Sequence, residues 1–216
     1  MIIDDYIVLG SSYIYNLRDG RKVRCSAGYS PSMGLIRVYP VNGYSHKVKM
    51  WNMLHFPAHK NWDDWRKESW KIIDSSDPYQ ADNHINILRT LEREEKLHII
   101  KKQLLHCPSE LNEKKVSLGI VKPNIIKWGI ENNKPYVTYR CTPHCLCGSN
   151  HHQQILEWGA YEWIRKNPDK ANQVFDNYHF GEDDWEHYFL LGNSYRAPKS
   201  FMIISVIRWK KNENPS

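Results

Sequence analysis

Residues 17–43 read Leu17-Arg-Asp-Gly-Arg-Lys-Val-Arg-Cys-Ser-Ala-Gly-Tyr-Ser-Pro-Ser-Met-Gly-Leu-Ile-Arg-Val-Tyr-Pro-Val-Asn-Gly43, and this stretch decides the fold class. Turn signals at Asp19-Gly20, at residues 28–31 and at Val41–Gly43 separate the short runs Lys22–Ala27 and Leu35–Tyr39. Short strands with a turn about every 8–12 residues are typical of a small β-barrel or sandwich.

Further short apolar runs extend this β pattern in both directions. Tyr6–Leu9 and Lys47–Trp51 flank the stretch, and a second group begins near Lys115. The runs of the second group are Val116–Val121, Ile125–Trp128, Tyr136–Arg140, Tyr188–Leu191 and Ser200–Trp209. We therefore predict an α+β protein with an N-terminal β-barrel-like lobe in residues 1–60, an aromatic connector and helix in 61–106, and a C-terminal β lobe in 107–216.

Two segments have the periodicity of helices. Residues 82–106 start with good N-capping side chains and place Ile85, Leu88 and Leu91 on one face. Residues 150–166 repeat their apolar side chains along one stripe, as a helix packed on a core does. We predict a helix in each.

A cysteine-rich loop precedes the second predicted helix. It reads Cys141-Thr-Pro-His-Cys-Leu-Cys-Gly-Ser-Asn-His-His152 and holds three of the five cysteines. Structural zinc takes four thiolate or imidazole ligands in a tetrahedron, often from a loop and the start of a helix. The predicted ligands of one structural zinc ion in this knuckle-like loop are Cys141, Cys145, Cys147 and His151, with His144 and His152 as substitutes. The alternative is a reduced cysteine loop without metal.

The composition predicts a cytoplasmic protein without a membrane span. The sequence has no run of about 18 uninterrupted apolar residues. Residues Met1–Asp5 lack the basic region and the long apolar run of a signal peptide. Five cysteines with metal-like spacing are more typical of a reducing compartment than of a disulfide framework.

The charge pattern favours nucleic acid as a partner. The formal net charge is +6, with nine tryptophans and thirteen tyrosines. Residues 1–60 carry eight Lys/Arg against three Asp/Glu, and residues 107–150 carry six against three, so the surplus lies in the two β segments. Phosphate binding needs such cations, and base stacking needs exposed rings. The predicted contacts are Arg21, Lys22, Arg24, Arg37, Lys122, Lys127 and Arg140 for phosphates, and Tyr39, Tyr136 and Tyr139 for stacking.

Residues 55–81 form an irregular, aromatic stretch that includes Trp62, Trp65 and Trp70. One interpretation is a connection that wraps around the protein and packs its tryptophans on a neighbouring layer. The other is a platform on which bases stack. We expect the first.

The order and spacing of several runs resemble a group of small prokaryotic proteins with two OB-like β-barrels and a Cys/His knuckle before a Trp-containing helix. The matching runs are Arg24–Gly28 with Gly34–Arg37, Glu68–Trp70, Ser117–Pro123, Cys147–Trp158, and Leu190–Asn193 with Ser200–Ile204. In that group a histidine precedes an acidic-Trp pair by six residues, which maps onto His151, Glu157 and Trp158. Here Glu157 stands where aspartate is commoner, and Gly148 follows Cys147 instead of directly preceding the histidine.

The resemblance refines the predicted fold class to two small OB-like antiparallel β-barrel lobes joined by a helix, with a zinc-knuckle-like loop. It also implies a role near nucleic acid in a prokaryotic defence or mobile-element system. It implies no particular activity.

We predict a nucleic-acid-binding accessory protein for single-stranded or structured DNA or RNA. One alternative is an adaptor subunit of a larger protein complex, since interfaces also favour Trp, Tyr and Arg. Another is a metal-dependent nuclease with acids drawn from Asp4, Asp5, Glu157, Asp183 and Asp184. The spacing of these acids indicates no convergence on a metal pair, and no zinc-deaminase, P-loop or G-x-S-x-G motif is present. We therefore predict no catalytic residue and regard an enzyme as the weaker hypothesis.

Overall fold

A computed structural model describes residues 1–73, 76–142 and 147–211. The chain divides into two compact units, Met1–Ile99 and Ile100–Ser216. The boundary falls inside the segment 61–106 that we predict as a connector and helix. No helix in the described part of the chain is both long enough and apolar enough to cross a lipid bilayer.

The first unit is built mainly from β-strands. Its strands are β1 (Ile2–Ser11), β2 (Tyr15–Asn16), β3 (Lys22–Ser30), β4 (Gly34–Asn42), β5 (Asn52–Lys60), β6 (Ser69–Ile72) and β7 (Asn86–Thr90). Its short helical segments are α1 (Pro78–Ala81) and a 3₁₀ turn (Asp82–His84). Helix α2 (Arg93–Gln103) begins in this unit and ends in the next.

Five of these strands close into a barrel. The hydrogen-bonded path runs β1-β3-β4-β6-β5 and returns to β1. The β4–β6 pair is parallel, whereas the other pairs of the ring are antiparallel. Numbered along the chain, the five strands follow the order 1-2-3-5-4-1, which is the Greek-key path of the OB fold. The predicted N-terminal β-barrel is confirmed, and its fifth strand, β6, comes from beyond residue 60.

Alternating side chains fill the barrel. Tyr6, Val38, Leu54 and Phe56 are all at most 2% exposed, and the rings of Tyr6 and Phe56 meet edge to face. The backbone of β3 approaches β1 closely at Gly28, where a Cβ would lie 2.3 Å from the carbonyl oxygen of Ile7. Only glycine fits there without displacing the backbone.

The predicted helix over residues 82–106 is wrong in its first half. Residues 86–90 form strand β7, which pairs with β5, and α2 begins only at Arg93. Ile85 and Leu91 are buried at the two ends of β7, but Leu88 is 53% exposed. Pairing with a strand some 35 residues earlier outweighs the local helical period, because the strand satisfies backbone groups that the edge of β5 would otherwise expose.

The second unit contains the remaining elements. Its strands are β8 (Leu104–Leu105), β9 (Leu118–Val121), β10 (Pro123–Glu131), β11 (Lys134–Cys141), β12 (His151–Gln154), β13 (Trp185–Ser194) and β14 (Ala197–Lys210). Its helices are α3 (Ser109–Glu113), α4 (Trp158–Lys166) and a 3₁₀ segment (Pro168–Tyr178). All five β runs predicted for this part of the chain overlap observed strands.

Two sheets form the second unit, one with the order β10-β11-β12 and one with the order β14-β13-β9-β8. Residue 122 alone separates β9 from β10. At the other side, a parallel bridge joins Ile155 to Ile203, and the Leu156 N–H donates to the Ile203 carbonyl. Tyr139, Phe189, Ile203 and Val206 are fully buried between these strands.

The helix predicted from residue 150 begins later than expected. Residues 151–154 form β12 and pair with β11, and α4 starts at Trp158. His151 therefore lies on a strand and not in the first turn of a helix. The apolar periodicity of the sequence belongs to residues 158–166, and the histidines before it follow the strand period of two.

Candidate nucleic-acid interface and metal centre

The sheet β10–β12 exposes one face, whose composition differs from that of its buried face. Successive side chains of a strand alternate between faces, and directly paired residues share a face. The pairs Asn124–Arg140, Lys127–Thr138 and Thr138–His152 therefore place these side chains together. We call the resulting surface the outer face, and its members are Asn124, Lys127, Tyr136, Thr138, Arg140 and His152.

The outer face carries an ordered aromatic pair beside cations. The rings of Tyr136 and His152 stack with centroids 5.1 Å apart and an interplanar angle of 9°. Thr138 Oγ1 lies 2.9 Å from Nδ1 of His152, and Glu131 Oε2 lies 3.2 Å from its Nε2. Arg140 Nε donates to Asn150 Oδ1 at 2.6 Å, which orients the guanidinium while the residue stays exposed. Rings and cations held in this way are suited to stacking and phosphate contact.

Three predicted contacts, Lys127, Tyr136 and Arg140, lie on the outer face, but Tyr139 does not. Tyr139 is 0% exposed, its hydroxyl donates to Gln153 Oε1 at 2.8 Å, and its ring meets Phe189 edge to face. A ring without surface cannot stack on a base. Tyr136 and Tyr139 are an odd number of residues apart, so a strand must send them to opposite faces.

Lys122 is engaged within the second unit. Its Nζ donates to Glu186 Oε1 at 2.7 Å and lies 5.5 Å from the centre of the Tyr188 ring. The hydrogen bond to Glu186 raises the pKa of the lysine, and burial partly offsets this increase. Lys122 is thus paired with a carboxylate, whereas Lys127 is an exposed residue of the outer face.

The first unit separates the five residues predicted there. Arg24 and Arg37 are 3% and 2% exposed, and Arg24 donates to the carbonyls of Ser45 and Val48. Neither arginine has the surface needed for a phosphate contact, so we remove both from the candidate interface. Arg21 forms an ion pair with Asp19, Lys22 Nζ lies 3.2 Å from the Tyr44 hydroxyl, and Tyr39 is half-buried.

The loop between β5 and β6, residues 61–68, exposes tryptophans. We call it the tryptophan loop. Trp62 is 87% exposed and Trp65 is 50% exposed, contrary to our expectation that they pack on a neighbouring layer. A contact between two of its own residues stabilises the loop: the buried Arg66 donates through Nε to both carboxylate oxygens of Asp64 at 2.8 and 3.0 Å. In OB barrels the loop between the fourth and fifth strands is one of the ligand-binding loops.

A cluster of cysteine and histidine side chains lies behind the outer face. One sulfur each from Cys107 and Cys141 and one ring nitrogen of His151 lie within 4.8 Å of one another. Cys147 Sγ is 3.6 Å from His151 Nε2, and its sulfur also lies at disulfide distance from that of Cys107. Burial lowers the pKa of His151 and so favours its neutral form. These thiol and imidazole groups could hold a metal ion.

Strand alternation explains why His151 and not His152 belongs to this cluster. His151 pairs with the buried Tyr139 and shares its face with Cys141, whereas His152 pairs with Thr138 on the outer face. The predicted ligands Cys141, Cys147 and His151 are thus brought together, and Cys145 and His144 lie outside the described residues. Cys107 is not among the ligands predicted from the sequence, because it lies 34 residues before Cys141 and has no local spacing signal.

The acidic residues of the nuclease hypothesis lie in different surroundings. Asp4 contacts His55 Nδ1 at 2.8 Å, Asp5 accepts from the Ser30 hydroxyl, and Asp183 and Asp184 are exposed. Among residues 1–73, 76–142 and 147–211, the Cys107/Cys141/His151 cluster is the one group of three or more His, Cys, Asp or Glu side chains that could hold a metal ion.

Glu157 is a structural carboxylate with an altered pKa. Its Oε2 accepts a hydrogen bond from the Val206 N–H at 2.7 Å. Burial raises the pKa of Glu157 above its usual 4.5, although the Val206 hydrogen bond and the nearby Arg208 oppose this. Because the folded-state pKa is the higher one, protonated Glu157 contributes its full stability below the unfolded-state pKa. That contribution is lost as the pH rises through the folded-state pKa.

Replacement of Glu157 by glutamine is expected to stabilise the protein at pH 8 and to have little effect near pH 4. The amide oxygen of glutamine can still accept the hydrogen bond from the Val206 N–H. The substitution removes the buried negative charge. Each kcal/mol gained should raise the melting temperature by about 2–4 °C. Thermal melts of wild type, Glu157→Gln and the exposed control Glu113→Gln at both pH values test this. A Glu157→Gln gain that is the same at both pH values would contradict the assignment.

The strand path of the first unit defines an OB-type β-barrel. A family model described as a domain of unknown function, DUF8758, matches residues 7–105. That match covers the barrel from residue 7, within β1, and stops before the cysteine cluster. No curated protein matches the sequence.

The structure of this chain is similar to several solved structures, among them the following three. A murine DNA-binding protein solved with double-stranded DNA is 9% identical, with a TM-score of 0.37 and coverage of 97% of this chain and 96% of that one. The HINb domain of p204 is 8% identical, with a TM-score of 0.38 and 95% of each chain covered. The HINa domain of Ifi202 with a 20-base-pair DNA is 10% identical, with a TM-score of 0.37 and coverage of 97% and 98%. Likeness at this level supports no functional conclusion.

Proposed function

We propose that this protein binds single-stranded nucleic acid through the outer face of β10–β12. The observation that carries the proposal is the stack of the half-buried Tyr136 ring on the exposed His152 ring, with Arg140 and Lys127 on the same face. Base stacking on aromatic rings contributes about 1–3 kcal/mol per base, and cations beside the rings attract the phosphates. A base within a duplex cannot present its plane to such a ring, which is why we propose single strands.

We further propose that the second unit is a second OB-like barrel. If β9 and β10 count as one bent strand, its pairings also follow the order 1-2-3-5-4-1. The parallel bridge Ile155–Ile203 takes the place of the pairing between the third and fifth strands. The outer face would then lie on the first three strands of that barrel, and OB folds use their second and third strands for oligonucleotides.

The tryptophan loop supports the same function in the first unit. Trp62 and Trp65 offer exposed rings at a position where OB barrels bind ligands, and Lys67 lies in the same loop. An adaptor subunit would also use exposed tryptophans. We favour nucleic acid because the outer face adds cations to its aromatic pair.

The test is binding of labelled single- and double-stranded DNA and RNA across a salt series, with magnesium present and the products run on a denaturing gel. We expect intact strands, preference for single strands, and affinity that falls with salt by about 0.7 log units per log unit of salt for each phosphate contact. Cleaved strands would instead favour the nuclease. Absence of binding at low salt would overturn the proposal and favour the adaptor.

Variants of the outer face are expected to weaken binding in different ways. Tyr136→Ala should reduce affinity by about 5- to 100-fold at all salt concentrations, because a stacking contact is lost. Arg140→Glu should reduce it by about 10-fold and lower the salt slope by about one contact. The matched control is Arg165→Glu, which makes the same charge change on α4 of the same unit. An equal loss in the control would show that net charge, and not this face, governs binding.

A further inference from the structure

We infer that Cys107, Cys141, Cys147 and His151 bind one structural zinc ion, and that Cys107 is the ligand for which the sequence suggests Cys145. This inference is independent of nucleic-acid binding, because it rests on the geometry of the cluster alone.

The four side chains reach the cluster from separate elements of the second unit. Cys107 lies two residues before α3, Cys141 ends β11, Cys147 is in the β11–β12 connection, and His151 begins β12. Nε2 of His151 is 3.9 Å from the sulfur of Cys107 and 3.6 Å from that of Cys147. Three sulfurs and one imidazole nitrogen are a ligand set that structural zinc uses.

A disulfide between Cys107 and Cys147 is the competing explanation. Their Cα atoms lie 7.2 Å apart, whereas disulfides usually span about 4.4–6.8 Å. A disulfide would also involve only two of the four side chains and would not explain why Cys141 and His151 converge on the same point. One tetrahedral ion accounts for all four.

A zinc ion here would fasten the start of α3 to the sheet that carries the outer face. His151 and His152 are neighbours on β12, one facing the cluster and one stacked on Tyr136. Four protein ligands leave no position for a water molecule, so the ion stabilises the fold and does not activate a nucleophile. Its binding energy contributes directly to folding, because the unfolded chain does not hold the four ligands together.

The experiment measures the metal content of the full chain purified under reducing conditions, by mass spectrometry of the metal. We expect about one zinc ion per chain in wild type and in Cys145→Ser, and loss of zinc in Cys107→Ser. Zinc that is retained in Cys107→Ser and lost in Cys145→Ser would overturn the role of Cys107. The ligand would then be Cys145, as the sequence suggests. Metal-free wild type with a Cys107–Cys147 disulfide in its intact mass would overturn the inference.

Cobalt substitution in the wild type keeps the test independent of whether a variant folds. Three thiolates around tetrahedral Co²⁺ should give strong visible absorption and sulfur-to-cobalt bands in the near ultraviolet. A weak octahedral spectrum after cobalt loading would contradict the site. Neither result depends on oligonucleotide binding, so failure here and failure of the proposed function can be told apart.

Discussion

Tyr139→Ala is expected to lower the free energy of unfolding by about 3–5 kcal/mol, because it removes a fully buried ring from a packed core. The lost contacts are the edge-to-face packing on Phe189 and the hydrogen bond to Gln153. Tyr136→Ala, three residues earlier on the same strand, is expected to cost about 1 kcal/mol or less. The two tyrosines therefore separate stability from binding.

Urea denaturation followed by tryptophan fluorescence measures this difference, with oligonucleotide binding measured on the same samples. Tyr136→Ala should lose affinity and keep its unfolding midpoint. Tyr139→Ala should shift the midpoint strongly. Equal shifts in the two variants would mean that the register of β11, and with it the outer face, is wrongly assigned.

Arg24→Met is expected to lower the free energy of unfolding by about 2–4 kcal/mol. The buried guanidinium donates to the carbonyls of Ser45 and Val48 in the β4–β5 connection, and methionine would leave both acceptors without that donor. Burial lowers the pKa of Arg24 to about 10, so the side chain remains charged at neutral pH and its hydrogen bonds are charge-assisted.

The matched control for Arg24→Met is Arg21→Met, which removes a partly exposed arginine from the same unit. Its ion pair with Asp19 is at the surface, where such pairs contribute little. The midpoints of urea denaturation should fall for Arg24→Met and stay near wild type for Arg21→Met. Equal, small effects would mean that the carbonyls of Ser45 and Val48 are satisfied in another way.

Charge reversal of the buried arginines would not measure nucleic-acid contact. Glutamate at position 24 would place a carboxylate beside two carbonyl oxygens, and glutamate at position 37 would be buried as well. Either change should unfold the first barrel before it alters a binding surface. Arg140 and Lys127 are the positions at which a change of charge tests binding without disturbing the core.

Strand alternation was already present in the sequence and could have divided the predicted contacts. Tyr136, Thr138 and Arg140 have one parity on β11, while Val137, Tyr139 and Cys141 have the other. Applied strictly, the period of two separates the stacking ring from the buried ring and His152 from His151. The sequence does not state which parity faces water, since both contain a tyrosine and both contain polar or small side chains.

Other features depend on contacts between residues far apart in the chain. The helical period of residues 82–91 did not predict strand β7. This strand forms because it pairs with β5, which lies more than 30 residues earlier in the chain. Cys107 is invisible as a ligand for the same reason. The exposure of Trp62 depends on how residues 61–68 cross from β5 to β6, and an aromatic composition is compatible with either burial or exposure.

The sequence by itself determined the short strands, their turns, the final apolar strand and the cysteine-rich loop, because these depend on the residue types of neighbouring positions. Only the tertiary structure decided that β4 and β6 pair in parallel to close a barrel, that Arg24 and Arg37 are internal, and that Cys107 meets Cys141, Cys147 and His151. The physical reason is that local propensity acts over a few residues. Strand pairing and burial depend on contacts between segments roughly 30 to 60 residues apart, and only the assembled fold brings those segments together.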